Sequence, residues 1–171
     1  AMMAWMKAHG ADAIVFTTAD FVQYASNFAV DVFTWERPIF CIVTADGQMR
    51  MVFNELSTHS LQFAIEKGTL WAGLDQMKFY AEHPRITNRI PLLAELPALV
   101  ASVLVEMGLT GKQLMSDAMP APLQQAVAMA PGTRVTPTKA LRSLRWVKNE
   151  EELSIMRALA GLTDWTQQCF K

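Results

Sequence analysis

The sequence has 171 residues, with 15 Lys and Arg against 16 Asp and Glu, for a formal net charge of −1. That length predicts one principal domain whose core is large enough to stand without disulfides or a structural metal. The charge balance lacks the basic stripe of a protein that neutralises phosphates, and charges interrupt every apolar run short of the ~18 residues a membrane span needs.

The opening run Ala1-Met2-Met3-Ala4-Trp5-Met6-Lys7 is apolar, but too short and wrongly charged for a secretory signal. Met2, Trp5, Met6 and His9 recur at helical spacing, and Gly10 follows where a C-cap belongs. Ala13 to Thr17 reads as a buried strand, and Ala19 to Ala25 as a short helix with Asp20 near its start. Ile39 to Val43 is a continuous apolar run, hence a strand covered on both faces. Asp46-Gly47 follows, with Met49, Met51 and Phe53 alternating behind it, so these two strands are expected to pair as an antiparallel hairpin.

Leu96, Leu99, Val100, Val103, Leu104 and Met107 form a helical stripe, with Pro97 in its first turn and Gly108 at its end. A strand at Gln113-Leu114-Met115, a helix from Leu123 to Ala130 and a strand at Arg134-Val135-Thr136 complete the pattern. Strands and helices alternating around one hairpin predict a mixed α/β sheet with helices on its faces. In the last segment, Asn149 and Glu152 have capping-box spacing, and Glu150 to Glu152 favour the positive end of a helix dipole. That helix carries two stripes, Leu153-Met156-Ala160 and Ile155-Leu159-Leu162, where docking on one domain needs a single stripe. The surplus stripe, with Trp165 and Phe170, predicts that the chain is the front part of a larger protein.

No catalytic constellation stands out. Glu55 and His59 lie four apart on an expected helix, but two ligands do not make a metal site, and a solvated helical face accounts for them. His9 suits a helix C-terminus, and His83 lies in a polar loop without nearby Cys or carboxylate clusters. Cys41 and Cys169 have no CxxC partner, which reads as a reduced cytoplasmic protein, with Cys41 an inert strand residue. Phosphate loops and nucleophile elbows are absent. One segment resists so plain a reading. Phe28-Ala29-Val30-Asp31-Val32-Phe33-Thr34-Trp35-Glu36-Arg37-Pro38 sets three aromatics beside Asp31, Glu36 and Arg37. It fits a recognition loop with aromatic anchors, and equally a core plug formed by Phe28, Phe33 and Trp35.

Two motifs then come together. The first is Gly10-Ala11-Asp12-Ala13-Ile14-Val15, followed by Tyr24-Ala25-Ser26-Asn27-Phe28, by Glu36-Arg37-Pro38 and by the Asp46-Gly47 hairpin. The second is Leu141-Arg142-Ser143-Leu144-Arg145-Trp146-Val147-Lys148-Asn149-Glu150-Glu151-Glu152, continuing as Met156-Arg157-Ala158 and Thr163-Asp164. Together they resemble the N-terminal domain of the creatinase, prolidase (Xaa-Pro dipeptidase) and aminopeptidase P family of metallopeptidase-like enzymes. Arg145-x-x-Lys148 before a Glu-rich helix start is the most specific piece, marking in that family the junction with the catalytic domain. The match is weakest around residues 71–89, and Asn27 stands where the family commonly has Gly, a position Asn can fill in a left-handed conformation.

The resemblance implies a mixed sheet flanked by helices, ribonuclease H-like in shape, over residues 1–148. Residues 149–171 would then begin a linker helix to a "pita-bread" catalytic domain beyond this chain. That domain would carry two divalent metal ions (Mn, Zn or Co) that activate a water, so this chain itself should hold no metal and hydrolyse nothing. The resemblance further implies a homodimer in which Phe33, Trp35 and Arg37 reach a small peptide or amidine substrate in the neighbouring subunit. Trp35 would supply an apolar wall, and Arg37 a planar fork for a carboxylate. No nucleic acid or membrane partner is expected. The competing reading is a protein-binding module of a metal-free pseudo-peptidase, and a third is a purely structural half of a dimer.

Overall fold

The computed structural model of the chain describes residues 1–30, 34, 37–81 and 95–170. They fall into two compact units, Ala1–Lys139 and Ala140–Lys171.

In the first unit, Ala13–Phe16 (β1) and Phe40–Thr44 (β2) are buried along their whole length, as strands in the middle of a doubly covered sheet must be. They pair antiparallel, Ala13 opposite Thr44 and Phe16 opposite Cys41. β2 turns back into β3, Met49–Asn54, through the predicted hairpin, with Phe40 opposite Val52 and Val43 opposite Met49. Its loop has three residues, Ala45, Asp46 and Gly47, closed by the Thr44 N–H to the Gln48 carbonyl at 3.0 Å. Gly47 takes the positive φ (+89°) such a turn demands. The apolar alternation along β3 stops at Met51: Val52 and Asn54 are buried as well, because another strand and both flanking layers enclose this half.

That further strand is β4, Met77–Tyr80, running parallel to β3 with Asn54 opposite Tyr80. On the other side of β1 lie β5, Gln113–Ser116, and β6, Arg134–Pro137, both parallel to their inner neighbours. The order is β4-β3-β2-β1-β5-β6, the mixed α/β sheet predicted.

Helices fill both faces. Met2–His9 (α1) ends in the left-handed Gly10, followed in chain order by Ala19–Ser26 (α2), Thr58–Glu66 (α3), Leu96–Glu106 (α4) and Ala121–Met129 (α5). One face packs Ala13, Val15, Phe40, Ile42, Val52 and Leu114 against Leu96, Val100 and Leu104 of α4 and Leu123 and Ala126 of α5. Strand alternation sends Ile14, Phe16, Cys41 and Phe53 the other way. There Phe21 of α2 stacks on Phe16 at 5.7 Å, and Phe28 meets Phe53 edge-on at 5.0 Å. β4 escapes a reading by periodicity because it is four residues long and interrupted by the half-buried Lys78.

In the second unit, Leu141 and Leu144 are buried on a 3-10 turn (Lys139–Arg145) that begins at the boundary, ahead of the long helix α6, Glu150–Cys169. The predicted capping box is formed in both directions, Glu152 N–H to Asn149 Oδ1 at 2.8 Å and Asn149 N–H to Glu152 Oε2 at 2.9 Å. Within this unit neither apolar stripe of α6 is covered. Leu153 is half-buried, and Ile155, Met156, Leu159, Leu162 and Trp165 are all more than half exposed.

Candidate functional site

Open α/β sheets take ligands beyond the carboxyl ends of neighbouring parallel strands whose following helices go to opposite faces. β1 and β5 are such a pair: α2 packs on the Phe16 face, whereas α5 joins the cluster with Val15 and Leu114. In this chain Asp117, immediately after β5, fills that crevice. Its carboxylate accepts from the Thr17 and Thr18 N–H groups, each at 2.8 Å, and from both threonine hydroxyls. Thr18 is the N-cap of α2, so the carboxylate lies against the positive end of that helix, where a bound anion would otherwise sit. The crevice is a structural latch.

The aromatic segment beginning at Phe28 leaves the opposite end of α2. Asn27 ends α2 in the left-handed region (φ 57°), as expected for the residue standing at a glycine position. Its Nδ2 donates to the Thr69 carbonyl at 2.6 Å, and the Ser26 carbonyl accepts from the Trp71 N–H at 3.0 Å. Ser26 Oγ donates to the Val22 carbonyl and accepts from the Phe28 N–H at 3.2 Å. Phe28 is 1% exposed, so of the two readings left open by the sequence, this aromatic is core.

At the far end, Pro38, Ile39 and Phe40 are buried, and Arg37 is half-buried where the chain emerges. The Tyr80 hydroxyl donates to the Pro38 carbonyl at 2.9 Å. Phe33 and Trp35, the other two expected substrate contacts, lie outside the described residues, as do Asp31 and Glu36.

Beside the first root opens a cleft of about 490 Å³, lined among others by Gln23, Asn27, Phe28, His59, Phe63 and Thr69. Among the described residues its wall is mainly apolar and carries no carboxylate. His59 belongs to it by way of α3, whereas Glu55 sits on a preceding 3-10 turn, Glu55–Ser57, rather than on the same helix. Among the described residues no group of three or more His, Cys, Asp and Glu is placed to hold a metal ion. His9 is occupied structurally: its ring stacks on Trp5 at 3.9 Å and its Nδ1 lies 2.9 Å from the Trp5 carbonyl. Cys41 is fully buried, and burial pushes its thiol up to about 12, which removes it as a nucleophile. Among the described residues no helix is long and apolar enough to cross a membrane. His83 lies outside them.

Sequence reasoning missed Asp117 and Tyr80. The usable signal for Asp117 was an acidic residue directly after a strand, with Thr17-Thr18 directly after its neighbour. For Tyr80 there was none, because the strand carrying it was itself invisible.

Neither a protein-family model nor a curated protein matches the sequence. Solved structures do match the fold. A dipeptidase from Pyrococcus horikoshii OT3 superposes with a TM-score of 0.63 at 16% identity, over 90% of this chain and 38% of that one. Dipeptidase PepE from Mycobacterium ulcerans gives 0.58 at 22% identity, over 89% and 36%. The creatinase/prolidase N-terminal domain of an X-Pro dipeptidase from Streptococcus pyogenes gives 0.56 at 14%, over 83% of this chain and 93% of that domain. The chain thus spans less than two-fifths of the first two proteins and nearly all of the isolated domain. It has the fold of the creatinase/prolidase N-terminal domain.

Proposed function

We propose that this chain is the non-catalytic N-terminal domain of a metal-dependent hydrolase of the Xaa-Pro dipeptidase, aminopeptidase or creatinase type. The observation that carries the reading is the match to a complete, isolated N-terminal domain of an X-Pro dipeptidase, alongside partial coverage of two dipeptidases. Two divalent ions, Mn, Zn or Co, belong in this reading to a catalytic domain that follows a linker helix starting near residue 149. There they activate water and polarise the scissile carbonyl.

The domain's contribution is dimerisation and gating. The segment between Phe28 and Pro38 carries Phe33, Trp35 and Arg37 toward the active site of the partner subunit in a cytoplasmic homodimer. Phe33 and Trp35 wall off the substrate's apolar side, and the Arg37 guanidinium takes a carboxylate through two parallel hydrogen bonds. Steady-state kinetics of Trp35→Ala and Arg37→Ala in the full-length protein, with an Xaa-Pro dipeptide, test these roles. Arg37→Ala is expected to lower kcat/KM by at least about tenfold, a lost charge-assisted contact being worth roughly 1.5–3 kcal/mol, and Trp35→Ala to lower it through the loss of apolar contact, worth about 1.5–3 kcal/mol for a large side chain. Bound metal should be unchanged. Unaltered kinetics in both variants would remove the assigned roles.

A further inference from the structure

Phe63 is 60% exposed, a large ring left in water on α3, and it lines the cleft of about 490 Å³. Its neighbours there keep the space open. Ala29, Ser60 and Ala64 are small, and Phe28 is spent in the core. His59, Phe63 and Lys67 follow one another at four-residue intervals, so they share one face of α3. Gln62 and Glu66, one residue round the helix, pair with each other at 3.0 Å.

The walls are held in place without a ligand. Asn27, which caps α2 at a φ of 57°, donates through Nδ2 to the Thr69 carbonyl at 2.6 Å. Thr69 in turn donates its N–H at 3.0 Å and its hydroxyl at 3.2 Å to the Ala64 carbonyl. The end of α2 is thereby tied to the last turn of α3. A cleft lined from both helices is then preformed, as binding clefts of roughly 300–1,000 Å³ usually are.

The chemistry of the lining narrows the ligand. Among the described residues that line it there is no Asp, Glu, Lys or Arg. Gln23 and His59 are exposed there, and among the described residues neither side chain has a hydrogen-bond partner. A carboxamide offers donors and an acceptor, and a neutral imidazole one of each. That set complements a peptide group better than a carboxylate or an ammonium.

We propose that this cleft binds peptide: an uncharged stretch of chain that lays one large apolar side chain against Phe63, Ala29 and Ala64 and gives its amide groups to Gln23 and His59. All of these residues belong to the first unit, so the site needs neither a metal nor a further domain, and the proposal does not depend on the hydrolase reading. Covering the Phe63 ring supplies most of the affinity, and the two polar side chains supply the preference for an amide.

The probe is N-acetyl-phenylalaninamide, titrated into the isotope-labelled full chain and followed by proton–nitrogen correlation NMR. Saturable shifts at Phe63, Ala64 and Thr69 are expected, with a Kd on the order of 1 mM for a ligand of this size. N-acetyl-phenylalanine and phenylalaninamide, which carry a negative and a positive charge, should bind at least about fivefold more weakly, because the lining offers neither charge a partner. Phe63→Ala, at an exposed position, should abolish saturation while leaving the unfolding midpoint unchanged, and Gln23→Ala should weaken binding about 3- to 10-fold. No saturable shift up to the solubility limit of the probe, or binding that survives Phe63→Ala, overturns the proposal. Toluene binding as tightly as the amide would leave an apolar slot without preference for peptide, and tighter binding of the carboxylate would assign the site to anions through Lys67. Either result overturns the peptide reading.

Discussion

Removing the Asp117 carboxylate is the sharpest test of how the sheet is held together at its centre. In Asp117→Ala, the Thr17 N–H, on a residue only 6% exposed, loses its acceptor at 2.8 Å, and the N-cap region of α2 loses the charge beside Thr18. A buried donor left unsatisfied costs about 1–3 kcal/mol, and loss of a helix cap about 0.5–2 kcal/mol. The terms overlap, since the half-exposed Thr18 can turn to water and its hydroxyl already reaches Asp20 at 2.9 Å. A net loss of about 2–4 kcal/mol follows, or roughly 5–15 °C in Tm for a chain of this size. Urea unfolding followed by far-ultraviolet circular dichroism, extrapolated linearly, reads this directly. Asp117→Asn keeps the shape but opposes an NH2 group to the same donors, so it should lose at least half as much. An Asp117→Ala variant within about 0.5 kcal/mol of wild type, the range of ordinary surface substitutions, would refute the latch.

Three further predictions rest on buried groups. Cys41 is sealed and its thiol raised from 9.0 to about 12, whereas Cys169 is exposed, so a thiol reagent should modify one cysteine in the native chain and two after unfolding. Because the unfolded thiol ionises first, stability should fall as pH rises above 9.0, more in wild type than in Cys41→Ala. Among the described residues Ser116 Oγ, which is buried, has no hydrogen-bond partner, so Ser116→Ala should leave stability unchanged or raise it by up to about 1 kcal/mol, and a measured loss above about 1 kcal/mol would contradict that.

The parts of the fold legible in the sequence are those where one local rule decides the outcome. Uninterrupted apolar runs gave β1 and β2, and Asp46-Gly47 gave the hairpin, though its loop has three residues rather than two. Asn149 and Glu152 reported their capping box because its two bonds are local by construction. Asn27 was readable for the same reason: the need for a positive φ is a property of one residue. β4 was not legible, because Met77–Tyr80 is a strand only by virtue of β3 alongside it. The Asp117 latch was hidden likewise, its partners being about a hundred residues distant in sequence. Of the aromatic segment, Phe28 proves to be core, and the groups that hold the residues beside it and Pro38, namely Thr69, Trp71 and Tyr80, were not legible.

Those clamps come from one stretch of chain. Thr69 and Trp71 tie down the residues before Phe28, and Tyr80 ties down Pro38. All three lie between α3 and the end of β4, where local sequence signals are poorest and the resemblance to known N-terminal domains is weakest. At the Pro38 end the frame is β3 with the parallel strand beyond it. Substitutions between Thr69 and Tyr80 are therefore felt first at Ser26, Asn27 and Pro38, the residues to which this stretch is hydrogen-bonded.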